Sequence, residues 1–252
     1  MDKETRNRIE RATQSARGLL EQDFADQLEG VFDIRLDGTL ATEPGGHLDA
    51  AQRVLWRKLV AAVEHHRASG QRASEAVATY LREAAFTTLN RFVALKMLEA
   101  RGLVQQCISR GEQSAGFKEF CGLAPGLVQL PDHGYRLYIE SLFDELSTEV
   151  KVLFDRRDPY SVLWPKRATF EQLLEILNDP GFGDQGSGTS RPHPEPRTLN
   201  PEPATIWEQD ETIGWVYQFF NGQDERRKMR EESQAPRNSR ELAVRNQFFT
   251  PR

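Results

Sequence analysis

Apolar residues along this chain recur mostly at helical spacing. Ile9, Ala12, Ala16, Leu19, Phe24 and Leu28 lie three to five residues apart, on one face of a predicted helix, and Gly30 stands as its stop. Phe32, Ile34 and Leu36 then alternate with Asp33 and Arg35 before Asp37-Gly38, the pattern of a short strand and turn. One short strand has no sheet to join, so an extended connection is expected there.

A second helix is predicted over residues 48–67, with Val54, Leu55, Leu59 and Val63 inward and Ser69-Gly70 ending it. The third, over 74–101, is the longest and most apolar; Val77, Leu81, Ala85, Leu89, Phe92, Leu95 and Leu98 form its stripe, and Gly102 occupies the position just past its end. A stripe of that length needs burial throughout, which makes this the central helix. Over 103–130 the pattern is mixed, interrupted by Gly111, Gly116, Gly122 and Gly126.

A fourth helix is predicted over 134–153, burying Leu137, Tyr138, Leu142, Leu146, Val150 and Leu153. Residues 155–160 follow as an extended turn fixed by Pro159. Thr169-Phe170-Glu171-Gln172 reads as a capping box opening a short helix that ends near Asn178, with Asp179-Pro180 closing it. Between residues 181 and 204 lie five prolines and four glycines and almost no large apolar side chain, so burial cannot offset the entropy of ordering and a linker or loop is expected. Residues 211–220 again look helical, with Ile213, Trp215, Val216, Phe219 and Phe220; their aromatic face is expected to pack on further chain and to be left as an apolar patch without it. A charged stretch, 224–232, and a helix over 239–249 complete the pattern. The expected fold class is all-α: a helical N-terminal domain (1–180), a Pro/Gly-rich linker or loop (181–204) and a helical lead-in (205–252).

Composition narrows this. The chain has 252 residues, 38% hydrophobic and 28% charged, with a net charge of −5. Its mean hydropathy of −0.62 and pI of about 5.7 are polar and acidic, so any contact with nucleic acid must come from local patches. Cys107 and Cys121, without Cys-x-x-Cys spacing, argue against a disulfide framework or zinc site and for thiols in a reducing compartment. No apolar run reaches the ~18 residues of a membrane span, so a soluble, cytoplasmic protein with no membrane partner is expected.

Three segments in order carry a resemblance. The first is Leu89-Asn90-Arg91-Phe92-Val93-Ala94-Leu95-Lys96-Met97-Leu98-Glu99, followed by Gly102. The second is Leu153-Phe154-Asp155-Arg156-Arg157-Asp158-Pro159-Tyr160-Ser161. The third runs from Thr212-Ile213-Gly214-Trp215-Val216-Tyr217-Gln218-Phe219-Phe220 to Arg245-Asn246-Gln247-Phe248-Phe249-Thr250-Pro251-Arg252. Together, over about residues 75–252, they resemble the N-terminal region of the PglX-type adenine-specific DNA methyltransferases of BREX phage-defence systems and related type IIG restriction-modification enzymes. The resemblance implies a Rossmann-like methyltransferase domain after Arg252. Phe249, Thr250 and Pro251 would then form an edge of an S-adenosylmethionine site, because Phe-Thr-Pro opens that domain in the family. It further implies DNA, that methyltransferase domain and other subunits of a defence system as partners.

The family's glycine-rich cofactor loop and its Asn-Pro-Pro-aromatic motif, which receives a flipped adenine, do not occur within these residues. Asn200-Pro201-Glu202-Pro203 lacks the adjacent proline and the aromatic, and Asp158-Pro159-Tyr160 reads as a structural turn. The segment alone is therefore expected to be inactive, with no catalytic residue of its own.

Other constellations read as structural. Glu149-Val150-Lys151 echoes a nuclease motif but falls on a predicted helix rather than a strand. His65-His66 point about 100° apart at a helix end and make a poor metal pair. Asn90 and Arg91, polar within the most apolar helix, suggest specific bonds: a pin to a neighbouring element, or a phosphate contact. Arg226, Arg227, Lys228 and Arg230 form a basic cluster, partly cancelled by Glu225, Glu231 and Glu232, and are the candidate DNA-binding residues. The alternative to the methyltransferase reading is a non-enzymatic helical protein-interaction module.

Overall fold

A computed structural model of the protein describes residues 1–179 and 205–222. Among them the chain is all-α. Its helices are α1 (Lys3–Gly30), α2 (Ala50–Ala68), α3 (Ala73–Ala100), α4 (Ala115–Leu123), α5 (Tyr135–Leu146), α6 (Lys151–Phe154), α7 (Arg167–Leu177) and α8 (Glu211–Phe220), joined in places by short 3-10 turns. The described residues contain no strand; Ile34 and Leu40 make an isolated antiparallel bridge within the predicted extended connection. None of the described helices is long and apolar enough to cross a membrane.

Local chemistry starts the first two helices. The Asp2 carboxylate accepts the Thr5 N–H at 2.7 Å, and Asp49 and Gln52 form a reciprocal capping box on α2. α1 buries Ile9, Ala16, Leu20, Phe24 and Leu28, and at 28 residues it equals α3 in length. In α2 the inward residues are Trp56, Leu59, Ala62 and Val63. Val54, predicted inward, is instead 49% exposed; it lies about 180° around the helix from Val63.

α3 is central, as its composition predicts, and it is covered on several sides. α1, α2, α8, α6 and the 159–161 turn all pack against it. Its buried set therefore runs around the helix and takes in Glu83, Thr88, Asn90, Arg91 and Lys96 beside the apolar residues. Gly102 adopts φ +67° just past its end. There the Gly102 N–H donates to Glu99 O at 3.0 Å and the Leu103 N–H to Leu98 O at 2.9 Å, a Schellman stop.

Several expectations are corrected. Within the glycine-interrupted 103–130 segment lies α4, whose Phe117 packs on Tyr135 and Tyr138. The helix predicted over 134–153 is broken into α5 and α6. The Ser147 and Thr148 hydroxyls bond back to Asp144 O and Glu145 O at 2.8 and 2.7 Å, competing with helical continuation. α5 buries Tyr135, Tyr138, Ile139 and Phe143, while Leu137 on its other face and Val150 in the break are exposed. The predicted capping box at Thr169 is absent. α7 begins earlier, after Pro165, and the Lys166 N–H at its start donates to the buried Asp23 carboxylate of α1 at 2.9 Å. A carboxylate supplied from another helix does there what a local threonine does elsewhere, and it sits where the helix dipole favours negative charge.

An aromatic cluster gathers around Phe92 on α3. Its ring lies 5.9, 5.8 and 5.1 Å from those of Phe143, Trp164 and Phe170. Each such pair contributes about 0.5–1.5 kcal/mol beyond the area it buries.

α8 spans the predicted residues, but its aromatic face is not an open patch. Val216, Phe219 and Phe220 are buried, and α8 lies against α1 and α3. Phe220 meets Phe86 edge-on at 5.0 Å.

Candidate functional site

Arg91 stands mid-way along α3 and is 5% exposed. Its Nε donates to Leu153 O at 2.7 Å and an Nη to Asp155 O at 2.9 Å, and the guanidinium lies 5.5 Å from the Phe143 ring centre. Carbonyls at the end of a helix lack intrahelical partners, and here Arg91 serves two of them, Asp155 O also accepting the Asp158 N–H at 3.1 Å. Among the described residues no carboxylate pairs with the guanidinium. Burial pulls its pKa below the usual arginine range, opposed by Asp158 and Asp155. Of the two roles considered for Arg91, the structure shows the pin: it holds the 153–161 segment on α3.

Around it opens a cleft with a void of about 30 Å³, lined by Thr88, Arg91, Arg136, Arg156, Ser161 and Trp164 among others. Arg156 bridges Glu140 and Asp144 at 2.7 and 2.6 Å, and Arg136 pairs with Glu140 while lying over the Trp164 ring at 5.1 Å. The buried Ser161 hydroxyl has no hydrogen-bond partner. The space has room for about one or two water molecules, and with its other cations already paired the cleft braces α5 against the 156–165 stretch.

A second polar cluster closes the end of α3. Glu99 accepts N–H bonds from Cys107, Ile108 and Ser109, at 2.8, 2.6 and 3.2 Å, and is bonded by the Ser109 hydroxyl. Lys96 Nζ reaches Ser109 Oγ at 2.7 Å and Asn178 Oδ1 at 2.6 Å, and Asn178 Nδ2 donates to Ile108 O at 3.0 Å. Burial opposes ionisation of Glu99 but is outweighed by Ser109, the two amides and Lys96, so its pKa is held below the usual carboxylate value. Lys96 is pulled down by burial and supported by Glu99. A serine beside a lysine suggests a nucleophile, yet here the hydroxyl is engaged by Glu99 and the ammonium by two oxygens. The cluster ties residues 106–110 and the end of α7 to α3.

The other candidates resolve similarly. Cys107 is a buried free thiol whose pKa is raised by burial and by Glu99, so it is an unreactive group; Cys121 is also free. His66 meets the Tyr160 hydroxyl at 3.0 Å, and burial, with His65 beside it, lowers its pKa. Tyr80 donates to Pro159 O at 3.2 Å, which fixes Asp158-Pro159-Tyr160 as a structural turn. Glu149 and Lys151 flank the α5–α6 break, on no strand. Among the described residues no group of three or more His, Cys, Asp or Glu is arranged to hold a metal ion.

Two residues that sequence reasoning passed over anchor α8. Gln14 bonds Phe219 O, and Arg17 donates to Phe220 O at 2.7 Å with its guanidinium 5.1 Å from the Phe220 ring centre. The polar residues at 14 and 17 beside the apolar stripe of α1 were the available signal; their partners lie some two hundred residues away. Phe249, Thr250 and Pro251, the cofactor-edge residues, and Arg226, Arg227, Lys228 and Arg230, the DNA-binding candidates, lie outside the described residues, as does the 181–204 linker. Asn200-Pro201-Glu202-Pro203 and the predicted 239–249 helix lie there too.

Compared with known protein families, curated proteins and solved structures, the chain matches none of them.

Proposed function

We propose that this chain is a helical accessory segment of an S-adenosylmethionine-dependent DNA N6-adenine methyltransferase of a restriction-modification or phage-defence system. Its own part is positional, and the methyl transfer belongs to residues beyond it. The reading rests on the three segments that resemble that family, and one observation supports it most: all three meet on α3. Arg91 of the first bonds carbonyls of Leu153 and Asp155 in the second. Leu89 and Val93 of the first line a single apolar void of about 20 Å³ with Thr212 and Val216 of the third. Segments far apart in sequence thus share one packing unit, as expected if the resemblance reflects a common brace rather than separate coincidences.

On this reading S-adenosylmethionine binds in the domain that follows, with Phe249, Thr250 and Pro251 at its edge, and DNA and other defence-system subunits are the partners. The test is to read the gene past Arg252 and to measure the binding of S-adenosylmethionine by the protein it encodes. A glycine-rich loop, then Asn-Pro-Pro-aromatic, together with cofactor binding weakened by Thr250→Val, is the expected result. A reading frame without those motifs, or a protein that binds no S-adenosylmethionine, leaves the helical interaction module in its place.

A further inference from the structure

We propose that the outward face of α2 is a docking surface for the phosphate backbone of duplex DNA. α2 carries Arg53, Arg57, Lys58 and Arg67 against a single carboxylate, Glu64, in a chain whose net charge is −5. Glu64 is taken up by Arg67 at 2.6 Å, and the Asp49 carboxylate caps the helix start. Arg57 and Lys58 are exposed and bond nothing among the described residues, while Arg53 donates only to Leu48 O at 2.9 Å. Among the described residues three cations thus lack a carboxylate partner on one short stretch of helix.

The shape suits a polyanion. Val54 and Ala61 keep the outward face low between the long cationic stems, and His65 continues it one turn further. From Arg53 to His65 the helix rises roughly 18 Å, a length over which duplex DNA presents several phosphates per strand. The opposite face, with Trp56, Leu59 and Val63, is buried, and His66 ties the helix end to Tyr160, so the cations stand on a supported element. Contacts of this kind position a protein on DNA without reading sequence, which suits an accessory segment beside a domain that selects the base. The choice of DNA as the polyanion rests on the function proposed above; the surface itself rests on the charges and their missing partners.

Binding of the 252-residue chain to a fluorescent duplex is measured by anisotropy across a salt series. With three phosphate contacts, the slope of log K against log salt is about −2.7. Arg57→Glu with Lys58→Glu removes two contacts and lowers affinity on the order of fifty-fold at about 0.1 M salt. Lys118→Glu with Lys151→Glu makes the same change of net charge elsewhere and leaves affinity within about threefold. Circular dichroism verifies that both variants are folded. Equal losses in both variants, no loss in either, or binding to phosphatidylserine vesicles in place of duplex DNA overturns the proposal. Methyl transfer by the protein encoded by the continuing reading frame separates the two readings. Transfer with an unchanged KM for DNA in the α2 variant refutes this surface alone, and α2-dependent DNA binding without any methyl transfer refutes the enzyme reading alone.

Discussion

Replacing Arg91 by alanine withdraws two charge-assisted bonds, to Leu153 O at 2.7 Å and Asp155 O at 2.9 Å, from a site that is 5% exposed. Bonds to charged groups contribute about 1.5–3 kcal/mol each; Leu153 O loses its side-chain donor outright, whereas Asp155 O keeps the Asp158 N–H at 3.1 Å. Relief from desolvating the guanidinium offsets part of this. Because the partners are neutral carbonyls, no buried charge is stranded, and the net loss is about 2–4 kcal/mol, to which the lost packing over Phe143 adds. In a protein of this size that lowers Tm by roughly 10 °C. Arg91→Lys keeps the charge but cannot span both carbonyls with a planar fork, so it recovers about half. Urea and thermal unfolding followed by far-UV circular dichroism measure both variants. An Arg91→Ala protein within about 1 kcal/mol of the parent, but with weakened DNA binding, would refute the pin and return Arg91 to a phosphate-binding role.

Further outcomes follow from the same contacts. Gly116→Ala places a methyl group against the Tyr138 hydroxyl and 2.9 Å from Gln106 O, and is expected to cost about 1–3 kcal/mol; Gly102→Ala, with φ +67° but open space, costs about 1 kcal/mol from backbone strain alone. Denaturant midpoints should rank the two in that order. Glu99 has a depressed pKa in the folded protein, so its contribution is complete above its usual value of 4.5 and is lost as pH falls through the lower folded value; the stability gap between the parent and Glu99→Gln should narrow in acid. His66 is also depressed, which favours its neutral form, so its contribution holds above 6.5 and fades as pH drops through the folded value; His66→Gln should flatten thermal stability in that higher window. Arg17→Met should speed amide exchange in α8 more than in α3, since it removes the shorter of two bonds to the Phe220 carbonyl and uncovers its ring.

What could be read from the sequence depended on how local each cause was. α8, the Gly102 stop and the centrality of α3 follow from spacing and from a glycine where φ is positive, all within a few residues. The α5–α6 break was missed because periodicity continues through Val150 and Leu153 while two hydroxyls redirect the backbone. The start of α7 was misplaced because its carboxylate comes from Asp23, far away on α1. Apolar periodicity turns Val54 inward, but Trp56 holds the face of α2 that packs. Polar residues inside α3 showed that something specific happens at Arg91, and only the fold supplied its partners. The α2 cations stand in plain view, but that Glu64 pairs with Arg67 and Asp49 caps the helix start, rather than meeting them, is a matter of geometry.

Transfer of a labelled methyl group from S-adenosylmethionine to adenine in duplex DNA, by the protein encoded through and beyond Arg252, tests the central proposal most directly. The account predicts N6-methyladenine from the whole protein, none from residues 1–252 alone, and a rate that falls when Arg91→Ala unpins the 153–161 segment from α3. Methylation by residues 1–252 alone would contradict it, and so would a whole protein that leaves adenine unmodified.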